Sequence, residues 1–587
     1  MELSGLYARF DLDGAPIDQR DLALLGLDAP VGANIAAAAV DGIAPDAAHC
    51  LADGQRTTLF LGYLDEQVEI ADRLGLGRTT PVVRLVRAAL DRFGAALPAE
   101  MLGDWLMFDY DVRGTVTMLV GIGGRMPLLY AHVGTRLAIA PSMHVLSRLA
   151  WIGRDLDDDA FLLSLTNCTL DDDRRTHAIV RGVRSVPRGG CVTLSKTGDV
   201  SMHVVDPFVS VPRWKGSRGE AMEAAEGLLR DIVGAQLARS PQSGVLLSGG
   251  LDSSLVAWTL AVEGGLSLPA LSSAVALGRG VTDETAFAAI VADTLAMPLH
   301  RVVPPLGVNI YRPSEGTLIA SNFPPLSPRD YVYAAFAETA KAIGIGQLFD
   351  GGHGELTFTA PTPIVSWHGW PRHLAREIRD AARNVVRQLG DAKSTPPLDA
   401  FLNVALARDR RMAPGPAIIN AVAGQHNPRW FRYAEESWNY SAGARAPMRR
   451  DASEMRAGQL RLVRPFHDIR LLRLFAGFPA NFMVGEGMTR WPARAVLAGR
   501  LPETITRRRV GMPFSPDYEL RLVEQVPAAL ARIAAFRRSE CDEWFDLEWL
   551  RDGLGRIASG QSPDLADTFR VQLTAHACEF LTWWREG

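Results

Sequence analysis

Leu246-Leu247-Ser248-Gly249-Gly250-Leu251-Asp252-Ser253-Ser254 follows an apolar stretch and opens a helical pattern. That placement suits an anion. Backbone N–H groups at a helix N-terminus attract phosphate oxygens. Gly249 and Gly250 permit a tight turn and a close approach of oxygen atoms to the backbone. Ser248, Ser253 and Ser254 offer hydroxyl donors, and Leu247 leads into the turn. Asp252 is an anion beside the expected phosphates, which makes sense as a ligand of Mg2+. No Lys stands in the loop, so it is not G-x-x-x-x-G-K-[ST] and lacks the point charge of γ-phosphoryl transfer. A plainer account, a strand–turn–helix corner with helix-capping serines, explains the glycines but not the whole string.

The elements around the loop alternate. A helix face is read over Arg218–Arg239, a strand over Gly244–Leu247, a helix over Asp252–Val262, a strand over Pro269–Ala276, a helix over Asp283–Leu295 and a strand over Leu299–Val303. Strands alternating with helices predict a parallel sheet covered on both faces. The first ~205 residues differ, as short alternating runs set between turn residues. These are Leu6–Phe10, Thr57–Tyr63, Trp105–Asp109, Val116–Val120, Leu128–His132, Leu137–Ala140 and Val192–Ser195. Thr80–Phe93 reads as a helix, and Gly198-Asp199 as a hairpin turn. The composition shifts at Pro207–Gly219, which predicts domains at 1–207 and 208–587. Within the second, about 360–459 reads as a helical insertion rich in Arg and Trp.

Bulk properties narrow the class. At 587 residues the chain is too long for one ordinary domain. A formal net charge of −4 excludes the basic field of a nucleic-acid binder. The five cysteines, Cys50, Cys168, Cys191, Cys541 and Cys578, form no C-x-x-C pair, so neither a zinc site nor a disulfide framework is indicated. A reducing cytoplasm fits, with no secretion signal and no membrane span expected.

S-G-G-x-D-S-S is the pyrophosphate-binding string of enzymes that cleave ATP between the α and β phosphates. From it onward the chain resembles the class B asparagine synthetase superfamily. Thr282-Asp283-Glu284-Thr285-Ala286-Phe287-Ala288 resembles the family's D-E-x-x-x-A segment. Val463-Arg464-Pro465-Phe466-His467-Asp468 resembles R-x-P-F-L-D, and Gly487-Met488-Thr489-Arg490 with Leu501-Pro502-Glu503 resembles G-x-x-K…L-P-x. In the first part, Leu102–Asp109, Gly121–Tyr130 (with Arg125, Pro127, Leu128 and Tyr130) and Val183–Gly189 resemble strings of the family's glutaminase domain. The resemblance implies an α+β Ntn-hydrolase-like (glutaminase-like) domain followed by an α/β PP-loop ATP pyrophosphatase synthetase domain. It also implies ATP and Mg2+ as cofactors, with nucleotide contacts extending to Ser273, Gly351 and Gly352.

Three departures matter. The glutaminase domain needs an exposed N-terminal Cys, whose thiol attacks the amide while the α-amine acts as base. The matching residue here is Ser4, internal and a poorer nucleophile, so the glutaminase site is expected to be dead. The family's S-G-x-G-A-D-E loop, whose Asp binds metal, matches Phe349-Asp350-Gly351-Gly352-His353-Gly354-Glu355, with Gly at the Asp position. Either Asp350 or Glu355 supplies the second carboxylate, or Asp252 serves alone. The family's Lys falls at Thr506-Arg507-Arg508-Arg509-Val510-Gly511, which offers only arginines. Arg508 or Arg509 would stabilise charge without carrying a proton.

Without glutaminase activity, the amine must come with the substrate. Two branches of the superfamily work so, the β-lactam/carbapenam synthetases and the lasso peptide cyclases. The chain's length and the aromatics of 360–459 (Trp367, Trp370, Trp430, Phe431, Tyr433, Trp438, Tyr440) favour the second. Each aromatic is also accounted for as helix-packing core. The expected partners are a precursor peptide, a leader-binding protein and a cysteine protease, with no nucleic acid and no membrane. Glu355 and His353 are candidate bases for the amine. An ammonia-dependent asparagine synthetase and a nucleotide- or peptide-binding pseudoenzyme remain as alternatives.

Overall fold

The computed structural model describes the chain outside residues 361–459 and outside shorter stretches at 1–2, 28–33, 41–46, 125, most of 158–177, 206, 208–210, 241, 265–267, 276–282, 326–328, 509–514 and 562–564. The expected helical insertion, from 361 onward, lies outside the described residues. So do Cys168, Arg125 and Arg509.

The first part holds strands β1 (Gly5–Asp11), β2 (Ile35–Val40), β3 (Ala48–Ala52), β4 (Arg56–Leu64), β5 (Gly103–Asp111), β6 (Thr115–Val120), β7 (Leu129–Val133), β8 (Arg136–Ala140), β9 (Val183–Ser185), β10 (Gly190–Ser195) and β11 (Val200–Val204). They pair antiparallel into two sheets, ordered β2-β1-β8-β7-β9 and β11-β10-β6-β5-β4-β3. The period-2 alternation of side chains explains their stacking. Leu106, Phe108 and Tyr110 of β5 join Phe10, Ile139 and Val192 in a core between the sheets. Phe10 meets Phe108 edge-to-face at 5.2 Å. Trp105 and Met107, on the other face of β5, pack with Val83, Leu85 and Val86 of helix α1 (Val82–Phe93). Burying each such apolar side chain stabilises the fold by roughly 1.5–3 kcal/mol. The expected turn at Gly198-Asp199 joins β10 to β11, with Gly198 at φ +87°.

The second part holds β12 (Ser243–Leu246), β13 (Ala270–Ser273), β14 (Leu299–Val302), β15 (Gln347–Phe349) and β16 (Arg461–Val463) in one sheet, ordered β14-β13-β12-β15-β16. Every pairing is parallel. Its longer helices are α2 (Arg218–Leu237), α3 (Leu251–Gly264), α4 (Thr285–Thr294), α5 (Asp330–Ala342), α6 (Ile469–Gly477), α7 (Trp491–Leu497), α8 (Tyr518–Arg538), α9 (Leu547–Ala558) and α10 (Leu565–Glu586). A capping box starts α2: Ser217 Oγ accepts from Glu220 N–H, and Glu220 Oε2 accepts from Ser217 N–H. Val245, Ala270, Phe349 and Val463 pack with Ala225 of α2 and Leu255 of α3 on one face of the sheet. Leu246, Leu271 and Leu348 pack on the other, in a core containing Phe336 of α5, Leu522 of α8 and Phe580 of α10. That core also contains Leu129 and Ala131 of β7, so the two parts of the chain share it.

The observed architecture is of the expected class: an α+β part with two stacked antiparallel sheets, followed by a parallel α/β sheet covered on both faces. No helix among the described residues is long and apolar enough to cross a membrane. Strand order reverses at β12, since β13 and β14 lie to one side and β15 and β16 to the other. In such sheets the crevice at the carboxyl ends of the strands, beside the reversal, receives the ligand. The loops that follow β12 and β15 meet there.

Candidate active site

The loop after β12 is held by its own hydroxyls. Leu247 N–H donates to the Leu271 carbonyl at 2.9 Å and extends the β12–β13 pairing into the turn. Ser248 N–H donates to Ser253 Oγ at 3.1 Å, and Gly250 N–H to Ser248 Oγ at 3.2 Å. Gly249 has φ +72°, and a Cβ there would lie 2.5 Å from the Phe287 backbone carbon. Only glycine lets the loop sit against the start of α4. Ser254 is fully buried, and its Oγ has no partner among the described residues. Ser248 and Ser253 are bonded to each other, Oγ to Oγ at 3.1 Å, and Ser254 is the more deeply buried. Ser273 ends β13, the neighbouring strand, and is half-buried.

The loop after β15 closes on the first. A Cβ on Gly351 would fall 2.6 Å from Ser253 N, so the two loops touch through glycine. Asp350 is engaged elsewhere. Its Oδ2 accepts from Arg464 Nε at 2.8 Å and its Oδ1 from Gly352 N–H at 3.1 Å. His353 takes the left-handed conformation, φ +69°, and its ring stacks on His467 at 4.5 Å. Gly354 lies against Asp252, whose Oδ1 accepts from the Thr359 hydroxyl. Burial pushes the Asp252 carboxyl up to about 6. The Thr359 hydrogen bond and the Arg490 charge pull the other way, while the Glu355 carboxylate adds to the rise.

Two carboxylates, Asp252 and the exposed Glu355, thus sit within electrostatic reach of each other. Crowded and partly dehydrated carboxylates favour a cation. Mg2+ is commonly held by one or two carboxylates together with phosphate oxygens and waters. The donor set fits that ion through Asp252 and Glu355. Asp350, tied to Arg464, is the less suited of the expected ligands. No group of three or more His, Cys, Asp or Glu side chains is gathered for a metal among the described residues.

Arg508 reaches the same place from the far end of the chain. Its Nη1 lies 3.5 Å from the Gly249 carbonyl, its Nη2 pairs with Glu284, and its guanidinium carbon is 3.9 Å from the Phe287 ring centre. Arg494, on α7 and only 5% exposed, holds this segment. Its guanidinium donates to the carbonyls of Thr489, Thr506 and Arg508. Arg490 carries a strained positive φ of +57°, a feature concentrated at functional positions. Sequence reasoning quoted Arg464 and Arg490 within motifs without giving them work, and it missed Arg494 and Thr359. The signal for Arg494 was faint, since an Arg on a short helix ordinarily faces water.

The chain matches the family described as Asparagine synthase over residues 224–305 and 358–585, more than half its length. The chain belongs to the asparagine synthase family. Its match breaks between 305 and 358, the stretch that carries the altered Asp350–Glu355 loop. This asparagine synthase family member is an ATP-dependent, amide-bond-forming ligase of asparagine-synthetase type. The family uses ATP, usually with Mg2+. No curated protein sequence matches the chain. Among solved structures it is similar to a glutamine phosphoribosylpyrophosphate amidotransferase from B. subtilis complexed with ADP and GMP. Identity is 10%, with 59% of this chain and 75% of that one covered, at a TM-score of 0.22. It is also similar to an allosteric regulatory enzyme of purine biosynthesis, at 10% identity, 54% and 66% coverage and a TM-score of 0.21. Scores that low bear on neither fold nor function.

Proposed function

We propose that this ligase is a lasso-peptide-type cyclase. It would adenylate an Asp or Glu side-chain carboxylate of a precursor peptide and close a macrolactam with the peptide's own N-terminal amine. The observation that carries the reading is at the start of β1. Ser4, where a glutamine-using relative needs a free N-terminal Cys, is joined to a buried Leu3, and Leu3 N–H and carbonyl both bond to Tyr7 Oη, at 3.2 and 2.8 Å. A serine amide nitrogen inside a bonded turn is neither nucleophile nor base. On this reading the N-terminal part makes no ammonia, and the amine comes with the substrate.

In the first step a substrate carboxylate oxygen attacks the α-phosphorus of ATP, and the bond to the β-bridging oxygen breaks. The backbone N–H groups at the start of α3, with the Ser248 and Ser253 hydroxyls, hold the departing pyrophosphate. Mg2+ on Asp252 and Glu355 would neutralise phosphate charge. Arg508 adds a fixed positive charge beside Gly249. In the second step the amine nitrogen attacks the acyl carbon, AMP leaves with the former carboxylate oxygen, and a base takes the ammonium proton. His353 is the candidate base; Glu355 is the alternative, and in that case Asp252 holds the metal alone. Both reacting groups belong to one molecule, so attack is effectively unimolecular. A leader-binding protein and a cysteine protease would deliver and trim the peptide.

The test combines the protein with ATP, Mg2+ and candidate peptides bearing a small N-terminal residue and a downstream Asp or Glu. Stoichiometric AMP and pyrophosphate, with a peptide product lighter by one water, support the reading. Asparagine formed from free aspartate and ammonia supports an ammonia-dependent asparagine synthetase instead. A β-amino acid closed to a β-lactam supports that branch, and nucleotide binding without turnover supports a pseudoenzyme.

A further inference from the structure

Resting on the ATP reading above, we propose that Thr359 is the positioning residue of the metal site, and that Gly354 and Thr359 together do the work of the missing acidic side chain at position 354. Two observations carry this. An ideal Cβ on Gly354 would stand 1.8 Å from Asp252 Oδ1, 2.8 Å from its Cγ and 2.9 Å from Thr359 Oγ1. The space that a side chain at 354 would take is thus filled by the Asp252 carboxylate and the Thr359 hydroxyl. Thr359 Oγ1 also donates to that same Oδ1.

The geometry leaves little freedom. Thr359 is 1% exposed, and its backbone N–H donates to the Gly354 carbonyl at 2.9 Å, closing the 354–359 turn on itself. A β-branched side chain has few rotamers, so the hydroxyl is aimed before any ligand arrives. A hydroxyl carries one proton to give. Given to Oδ1, it fixes the carboxylate plane and leaves Oδ2 for a cation, for no other side chain donates to Asp252 among the described residues. The site therefore keeps one half-buried carboxylate, held by a neutral donor, where two acids at 252 and 354 would crowd each other. Glu355 next door supplies the second charge from the exposed side.

The test measures Mn2+ binding, as a stand-in for Mg2+, by electron paramagnetic resonance in the presence of a non-hydrolysable ATP analogue. Metal-free analogue binding is measured alongside. Thr359→Val keeps the shape and removes the hydroxyl. It is expected to weaken Mn2+ binding about tenfold, the worth of one buried hydrogen bond to a charged group. Metal-free analogue binding should hold, and Thr359→Ser should restore the metal. Gly354→Ala is the second variant. Gly354 lacks a positive φ, so the added methyl acts by displacing Asp252 and crowding the Thr359 hydroxyl, and Mn2+ binding should fall further. Wild-type Mn2+ affinity in Thr359→Val, or a Thr359→Ser as weak as the valine variant, would overturn the proposal. A wild type that binds the analogue with no dependence on metal overturns it alone. A wild type that binds no analogue overturns the ATP reading as well.

Discussion

The imidazole of His353 stacks on that of His467, with ring centres 4.5 Å apart and planes 30° from parallel. His353 belongs to the loop that presents Glu355, and His467 to the segment after β16. His467 Nδ1 lies 3.5 Å from Nη1 of Arg188, a buried residue of the N-terminal sandwich. The N-terminal sandwich is thereby in contact with a side chain that bears on the loop after β15. His467→Ala is expected to loosen the loop and lower the rate of pyrophosphate release about ten- to a hundredfold, the scale of a misplaced catalytic group. His467→Phe keeps a ring to stack on and should retain most of the rate. Equal loss in both variants would show that the stack does not matter.

Arg508 supports a second expectation. Its charge sits beside the Gly249 carbonyl and is oriented by Glu284 and the Phe287 ring. Removing one fixed donor from a site of developing charge typically costs about 10²- to 10³-fold in rate. Arg508→Ala should show that loss in single-turnover adenylation, with smaller change in ATP binding. Arg508→Lys keeps charge but not the planar stacking, and should fall between. A wild-type adenylation rate in Arg508→Ala would remove it from the site.

Much of this arrangement was legible in the residues. The alternation of Trp105–Asp109 forecasts β5, and its two faces do fill two different cores. The apolar run before Ser248 and the helix pattern after it place the glycine loop correctly. The run Ile35-Ala-Ala-Ala-Ala-Val40 did not announce β2, because alanine favours strands poorly and the pairing with β1 supplies the reason. β15 and β16, at three residues each, were too short to read. Gly354 was visible as a departure from the family, but its cause was not. Thr359 is 107 residues from Asp252 in sequence, and only the meeting of the loops after β12 and β15 makes them partners.

The Asp252 carboxyl gives a pH dependence. Burial raises it to about 6, so between that value and the ordinary carboxylate range near 4 the folded protein binds a proton that the unfolded chain releases. Stability from this group is present at low pH and is lost as pH rises through about 6. A bound cation needs the ionised form, so Mg2+ affinity should move oppositely, falling as pH drops below about 6. Titrating Mn2+ affinity against pH checks this. Thr359→Val removes a bond that favours the ionised form and should shift the midpoint upward.

His144 provides the opposite case, remote from the loops. It lies over Trp583 of α10 at 5.0 Å, where the N-terminal part meets the C-terminal helices. Burial lowers its pKa to about 4, with Arg154 and then Arg148 adding to the effect. The unfolded chain takes up this proton first, at the ordinary histidine value of about 6.5. Stability is therefore full above about 6.5 and is lost as pH falls toward about 4. The melting temperature of the wild type should drop across that window. In His144→Phe, which keeps an aromatic ring on Trp583 and cannot be protonated, the slope should be shallower. An unchanged slope would assign the acid sensitivity to other groups.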